Sequence, residues 1–343
     1  MSSHDISGHF PLAELPRLLE QARVVSVPMR VRFRGIMERE ALLLPGPSGW
    51  GEFAPFPEYD DAEAAPWLRA ALEAAGQGYP EPVRESVPVN GTVPAVGVEQ
   101  VEGVLARFGP VSAVKVKVAE RGQSVAADLA RVAEVRRLLP DAGIRVDANG
   151  GWDVDTAVGA LEALAEAGLE YAEQPVPDIA GLRAVRLELA RRGIPVLIAA
   201  DESVRKETDP LRVAREDAAD LIVVKVAPLG GVRRALEIVA AAGLPAVVSS
   251  ALDTSVGIRA GVALAASLPE LPYACGLGTL SLMSGDVSEK PMLPDGGALA
   301  VRDVPVSEDL LERWAAAPDR RRWWLERLER VYGRLAGPGT ARG

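Results

Sequence analysis

The chain has 343 residues, 48 % hydrophobic and 25 % charged, which is the make-up of an ordinary globular protein with length for a barrel and an accessory domain. A formal net charge of −10 excludes a general nucleic-acid binder, because phosphates demand a basic surface. The single cysteine, Cys275, excludes an internal disulfide and points to a reducing compartment, and no apolar run has the roughly eighteen residues of a membrane span.

Residues 1–10 lack the basic start and apolar stretch of a signal peptide, so a cytoplasmic location is expected. This leader carries both histidines, His4 and His9. A Ser-His-Asp triad, a histidine-ligated zinc and a histidine base are thereby disfavoured, and proton transfer falls to lysine, carboxylate, tyrosine or water. Three β-rich runs follow at 24–30, 32–36 and 40–44. A turn signal, Pro45-Gly46-Pro47-Ser48-Gly49, precedes a strand over 50–53. Asp60 or Asp61 caps a helix running through Trp67 and Leu72. Strands followed by a helix predict a small α+β capping domain over 1–86, completed by part of the C-terminal segment.

From residue 87 short apolar strands alternate with amphipathic helices. The predicted strands are 88–93, 113–118, 144–147, 171–174, 196–201, 221–226, 246–250 and 273–277. Helices open at Ser124 and close at Gly168 and Gly243. Eight such units over 87–290 predict an α/β fold with a closed (β/α)8-type barrel, of the modified (β/α)7β kind. The glycine-rich fingerprint of the competing open sheet is absent. A Trp- and Arg-rich helix over 309–335 packs back on the body within the last segment, 291–343, which ends in a frayed tail from Ala336.

Charged residues end the apolar strands: Lys115 and Lys117, then Asp147, Glu173, Asp201 and Lys225, with steps of 24 to 30 residues between successive strands. One step is one β/α unit, so each charge occupies the C-terminal rim, where barrel active sites lie. Three adjacent carboxylates need a cation to neutralise them, and an all-oxygen set favours a hard ion, Mg²⁺ first and Mn²⁺ second. Lys115 and Lys117 share a strand face, and a neighbouring ammonium lowers a lysine's pKa, readying one of them as a base. Lys225 lies about four strands away, across the mouth.

These residues resemble the enolase superfamily, in its muconate-lactonizing subgroup. The likeness is carried by Lys115-Val116-Lys117, Asp147-Ala148-Asn149, Glu173-Gln174-Pro175, Ala200-Asp201-Glu202-Ser203 and Lys225-Val226. It implies that Asp147, Glu173 and Asp201 ligate the metal, that Lys117 is the acid/base tuned by Lys115, and that Lys225 is the second lysine. The implied chemistry abstracts a proton next to a carboxylate, giving an enediolate held by Mg²⁺. The segments Phe33-Arg34-Gly35-Ile36, Arg39-Glu40, Gly49 through Phe56, Glu58-Tyr59, Val89-Asn90-Gly91-Thr92 and Cys275-Gly276-Leu277-Gly278-Thr279 narrow the likeness to the o-succinylbenzoate synthase family, of actinobacterial type. That family implies a carbon–oxygen lyase of menaquinone biosynthesis acting on a small carboxylate, with neither nucleic-acid nor membrane partners; oligomeric state stays open.

Two lysines equally suit racemases of N-acylamino acids and dipeptide epimerases. The absence of an acidic residue on the last strand leans away from cycloisomerisation. An inactive scaffold barrel or a Schiff-base aldolase leaves the three carboxylates without a purpose. Gly230-Gly231 is either an anion-binding turn or a plain one. Ser249, Ser250 and Ser255 are candidate partners of a substrate carboxylate or simple caps. Trp323 and Trp324 are expected to pack. The loop 53–59 is the expected lid over the mouth.

Overall fold

A computed structural model describes residues 15–33, 35–204 and 209–336. The leader with His4 and His9, Arg34, and the tail from 337 onward lie outside the described residues. After a short helix, α1 (Leu15–Gln21), three antiparallel strands follow, β1 (Arg23–Phe33), β2 (Ile36–Gly46) and β3 (Gly49–Phe53), in the order β1-β2-β3. The first expected run joins the start of the second in β1, whose pairing shifts register between Pro28 and Phe33; the second run then breaks, because the chain reverses around Gly35 at φ 77° and Ile36 opens β2. Helix α2 (Asp61–Gly76) begins at Asp60, which accepts from the amides of Ala62 and Glu63 while the Glu63 side chain accepts from the Asp60 amide. It lies so close on the sheet that a Cβ on Gly51 would collide with the Ala71 carbonyl.

The expected strand at 88–93 divides. Its first part, β4 (Ser86–Pro88), later pairs with a distant strand, and its second, β5 (Gly91–Val93), opens the barrel. The next units are α3 (Val101–Leu105), β6 (Ala113–Lys117), α4 (Val125–Leu138), β7 (Gly143–Asp147), α5 (Val154–Ala165), β8 (Leu169–Glu173) and α6 (Ile179–Arg192). Then come β9 (Leu197–Ala200), α7 (Asp209–Arg215), β10 (Leu221–Val224), α8 (Val226–Leu229), α9 (Val232–Ala242), β11 (Ala246–Val248) and α10 (Ser255–Ser267). Ser124, Asp153 and Asp178 cap their helices through side-chain oxygens, as the sequence signals require.

Strands β5 to β11 form one curled parallel sheet in sequential order. The eighth expected strand is reduced to Cys275 and Gly276, which bridge in parallel to Val89 on one side and Ser249 on the other. Backbone bonds from Cys275 N to Pro88 O (2.7 Å) and from Gly276 N to Val248 O (2.8 Å) close the ring. The stave is short because the chain turns at once into a 3-10 turn over Gly278–Leu282. Inside the barrel Tyr171, Ala199, Leu221, Val223 and Val247 form their own apolar layer, with the Arg145 guanidinium 5.0 Å from the Tyr171 ring.

The chain ends with β12 (Ala298–Ala300), which pairs with β4, and with α11 (Glu308–Arg313) and α12 (Pro318–Ala336). The single helix expected over 309–335 is thus two, because Pro318 lacks an amide proton and disfavours helix in the residue before it. Helix α12 inserts Trp324, Leu328, Val331 and Tyr332 into the cluster formed by Leu42, Leu44, Phe53 and Trp67 of the capping sheet and helix.

Candidate active site

Parallel pairing puts Lys117, Asp147 and Glu173 side by side at the ends of β6, β7 and β8. Asp201 follows β9 directly, and Lys225 follows β10 as the N-terminal neighbour of α8. Lys115, Lys117, Asp147, Asp201 and Lys225 line one cavity at the mouth, with Ser249 and Ser250 after β11. Glu173 sits just beneath, accepting from Lys115 Nζ at 2.9 and 3.0 Å. Lys115 also pairs with Asp147 at 3.3 Å, Lys117 donates to Asp147 Oδ2 at 2.5 Å and to Asn149 Oδ1 at 2.6 Å, and Lys225 donates to both Asp201 oxygens.

All three carboxylates are almost wholly buried. Burial alone would raise Asp147, yet Lys117 and Lys115 hold it well below the usual carboxylate range. Asp201 is likewise lowered, with burial opposed by Lys225. Glu173 goes the other way, pushed up to about 8 by burial and by the negative charge of Asp147. Lys115 does not become the easily deprotonated partner that its spacing suggested. Burial lowers it, but Glu173 and Asp147 outweigh burial and raise it well above an ordinary lysine, making it a fixed cation.

The donor chemistry suits a hard divalent ion: three carboxylates on consecutive staves, one of them destabilised by its neighbours' charge. As they stand, no group of three His, Cys, Asp or Glu side chains among the described residues is spaced to close on one ion. Ammonium groups lie between the carboxylates instead.

Several residues of the quoted motifs have roles that the sequence did not show. Gln174 is fully buried; its Oε1 accepts from the amides of Asp201 (2.9 Å) and Ser203 (3.1 Å), and its Nε2 donates to Ser203 Oγ (2.8 Å). It thereby aims the Asp201 turn. Asn149, Gln174 and Leu252, all just beyond strand ends at the mouth, adopt positive φ of 47°, 39° and 64°. Backbone strain of this kind concentrates at functional sites. The cap contributes Phe33, whose ring centre is 5.3 Å from Lys117 Nζ. The loop 53–59 does not cover the mouth. Arg327 donates to the carbonyls of Pro55, Phe56 and Tyr59, and Arg39 stacks on Phe56 at 4.4 Å, which binds that loop into the cap core.

Ser249 and Ser250 face the cavity, and Ser250 Oγ bonds Thr279 Oγ1 at 2.5 Å. Ser255 turns away to accept from the Met292 amide. At Gly230-Gly231 the anion is internal: Glu73 of α2 accepts from the amides of Val232 (2.7 Å) and Arg233 (3.2 Å) at the start of α9. The carboxyl group of Glu52 of β3 sits in the same way at the start of α10, accepting from Thr254 N (3.1 Å), Thr254 Oγ1 (2.5 Å) and Gly257 N (3.0 Å). Trp324 is fully buried and donates to Glu40 at 2.9 Å, in keeping with a packing role.

Residues 24–75 match the family model described as enolase N-terminal domain-like, and residues 97–305 match enolase C-terminal domain-like. An o-succinylbenzoate synthase of Mycolicibacterium smegmatis is 55 % identical over 315 residues, covering 92 % of this chain and 96 % of that one. One from Thermobifida fusca is 53 % identical over 319 residues, covering 91 % and 99 %. The chain belongs to the o-succinylbenzoate synthase family of the enolase superfamily. Members of that superfamily are enzymes that typically use a divalent metal. Among solved structures, muconate lactonizing enzyme from Pseudomonas fluorescens in complex with muconolactone superposes with a TM-score of 0.72 at 21 % identity, covering 86 % of this chain and 98 % of that one. A dipeptide epimerase from Enterococcus faecalis gives 0.68 at 20 %, covering 83 % and 96 %. At such identities these two establish for this o-succinylbenzoate synthase family member the fold alone. No described helix is long and apolar enough to cross a membrane.

Proposed function

We propose that this enzyme catalyses the syn dehydration of 2-succinyl-6-hydroxy-2,4-cyclohexadiene-1-carboxylate to o-succinylbenzoate, a step of menaquinone biosynthesis in the reducing cytoplasm. The observation that carries this reading is the pair Lys117 and Lys225, four staves apart on one cavity with buried carboxylates between them. Asp147, Glu173 and Asp201 would hold a divalent ion, Mg²⁺ in preference to Mn²⁺, on the strength of their hard oxygen donors. When bound, that ion supplies Lewis-acid stabilisation of negative charge on the substrate carboxylate.

Lys117 takes the proton next to the carboxylate and returns it to the departing hydroxide, so that a C–H and a C–O bond break and water leaves. One lysine serves both events because both groups depart from one face. Lys225 stays cationic on the opposite face and balances the charge that develops. Lys115, fixed by Glu173 and Asp147, keeps the local potential positive beside Lys117.

The same two lysines support a second reading, racemisation of N-acylamino acids, in which each takes or gives a proton on its own face. A side-by-side assay of purified protein separates them: one arm supplies the cyclohexadiene, the other N-acylamino acids of each hand. Dehydration abolished by EDTA and restored by Mg²⁺, without racemisation, is the expected result. Racemisation without dehydration overturns the proposal.

A further inference from the structure

Lys117 is the last residue of β6, and there its backbone has lost the sheet on one side. The Val118 amide donates to the Asp147 carbonyl at 3.0 Å and so points to β7. Backbone polar groups alternate sides along a strand, so the Lys117 carbonyl points the other way, toward β5. Strand β5, however, ends at Val93, which pairs with Val116, and the next residue, Pro94, has no N–H to offer. The carbonyl needs a donor from elsewhere.

That donor comes from α4. Arg131 Nη1 donates to the Lys117 carbonyl at 2.8 Å and Arg131 Nε to the Val96 carbonyl at 2.8 Å, so one guanidinium ties the loop after β5 to the end of β6. Its Nη2 donates to Gln123 Oε1, while Gln123 Nε2 donates to the Ala95 carbonyl at 2.8 Å. Asp128, one turn before Arg131, accepts from Arg131 Nη1 at 2.9 Å and, through its other oxygen, from the Ala119 amide at 2.9 Å. Ala119 holds φ at 59°, a strained value for a residue with a Cβ, and the bond to Asp128 helps to keep it there. Arg131 and Asp128 are 2 % and 1 % exposed, and neither lines the mouth. The pair grips the two peptide groups that follow Lys117 without touching anything that enters the cavity. Packing alone does not call for charge here, since a buried ion pair often stabilises no more than an apolar pair of the same volume. What the pair supplies is a fixed set of donors and acceptors for the turn that ends β6.

We propose that Arg131 and Asp128 are positioning residues of the reaction: through the Lys117 carbonyl and the Ala119 amide they fix the direction in which the Lys117 side chain enters the mouth. This role presupposes Lys117 as the base, whichever carboxylate substrate the site takes. Misplacing a reacting group by about 1 Å costs about 10²-fold in rate.

Arg136, on the same helix, is a matched control. It too donates to main-chain carbonyls, those of Pro140, Ala142 and Ala167, but these precede β7 and β8 at the opposite end of the barrel. Arg131→Gln, Arg131→Lys, Arg136→Gln and Lys117→Ala are assayed for dehydration at a temperature where urea titration finds each folded. Arg131→Gln is expected to lose about tenfold or more in kcat with KM within about twofold of the parent. Arg131→Lys, which keeps the charge but not the planar fork, recovers part of that loss. Arg136→Gln is expected to lose stability with kcat unchanged. Should Arg131→Gln fail to fold, Arg131→Lys carries the test, with kcat lowered about threefold or more at parental KM. If the parent racemises N-acylamino acids instead of dehydrating, the same comparison is made on exchange of their α-proton. Parental kcat in a folded Arg131 variant, or an equal fall in Arg136→Gln, overturns the role of the pair, while an inactive Lys117→Ala leaves the base in place. Full turnover in Lys117→Ala overturns the base and the positioning role together.

Discussion

Lys117 is held by two short bonds, to Asp147 and Asn149, and is roofed by the Phe33 ring. Positioned proton transfer of this kind contributes roughly 10² to 10⁴ in rate. Lys117→Ala is therefore expected to lower kcat by about three orders of magnitude, measured by steady-state dehydration. Mg²⁺ binding, followed by calorimetry, should change little, because the three carboxylates remain. A residual rate within tenfold of the parent would place the base elsewhere. The rim charges were legible in the sequence because each terminates an apolar run and recurs with the period of one barrel unit. The roles of Gln174 and Phe33, present there only as motif letters, were not. A buried amide leaves no periodic trace, and its bonds to Asp201 and Ser203 exist only once the ends of β8 and β9 lie side by side. Phe33 looked like one more apolar strand residue until the hairpin carried it to the mouth.

At the scale of elements, two capping carboxylates, Glu73 and Glu52, occupy the N-termini of barrel helices α9 and α10, one after the Lys225 stave and one after the Ser249–Ser250 stave. A Cβ at Gly231, where φ is 127°, would strike the Glu73 carboxylate, so the close approach requires glycine there. Glu52 is pushed from 4.5 up to about 8, first by burial and then by the charge of Asp253 beside it. Between those pH values the folded state binds more protons than the unfolded chain. The associated stability is complete below the unfolded value of 4.5 and is lost as pH rises through about 8. The urea midpoint is expected to fall between pH 6 and pH 9, with a loss on the order of a few kcal/mol. Glu52→Gln removes the titration and should flatten that slope; parallel slopes in parent and variant would discard the assignment. The helix stops were readable from glycine and proline. The docking of one domain's acids onto another's helices was not, since it couples residues some 160 to 200 positions apart.

At the scale of the whole molecule, three apolar clusters among the described residues divide the work: one between the barrel strands and their outer helices, one within the barrel, and one joining the capping sheet to α12. Trp324 is the largest wholly buried side chain, stacked edge-on to Phe53 at 5.9 Å. Trp324→Ala is expected to destabilise the protein by about 3–5 kcal/mol in urea titration, with the loss seated in the cap. A change below about 1 kcal/mol would mean that α12 is only loosely attached. The closed barrel was foreseeable from eight alternating units, although the last stave amounts to two bridged residues, because a strand of that length has no periodicity to read. The participation of α12 in the cap has a consequence for how the molecule is made. The capping strands leave the ribosome well before the helix that finishes their core. A translation product stalled short of α12 therefore leaves Leu42, Leu44, Phe53 and Trp67 without the Trp324, Leu328, Val331 and Tyr332 that cover them, an assembled barrel under an unfinished roof.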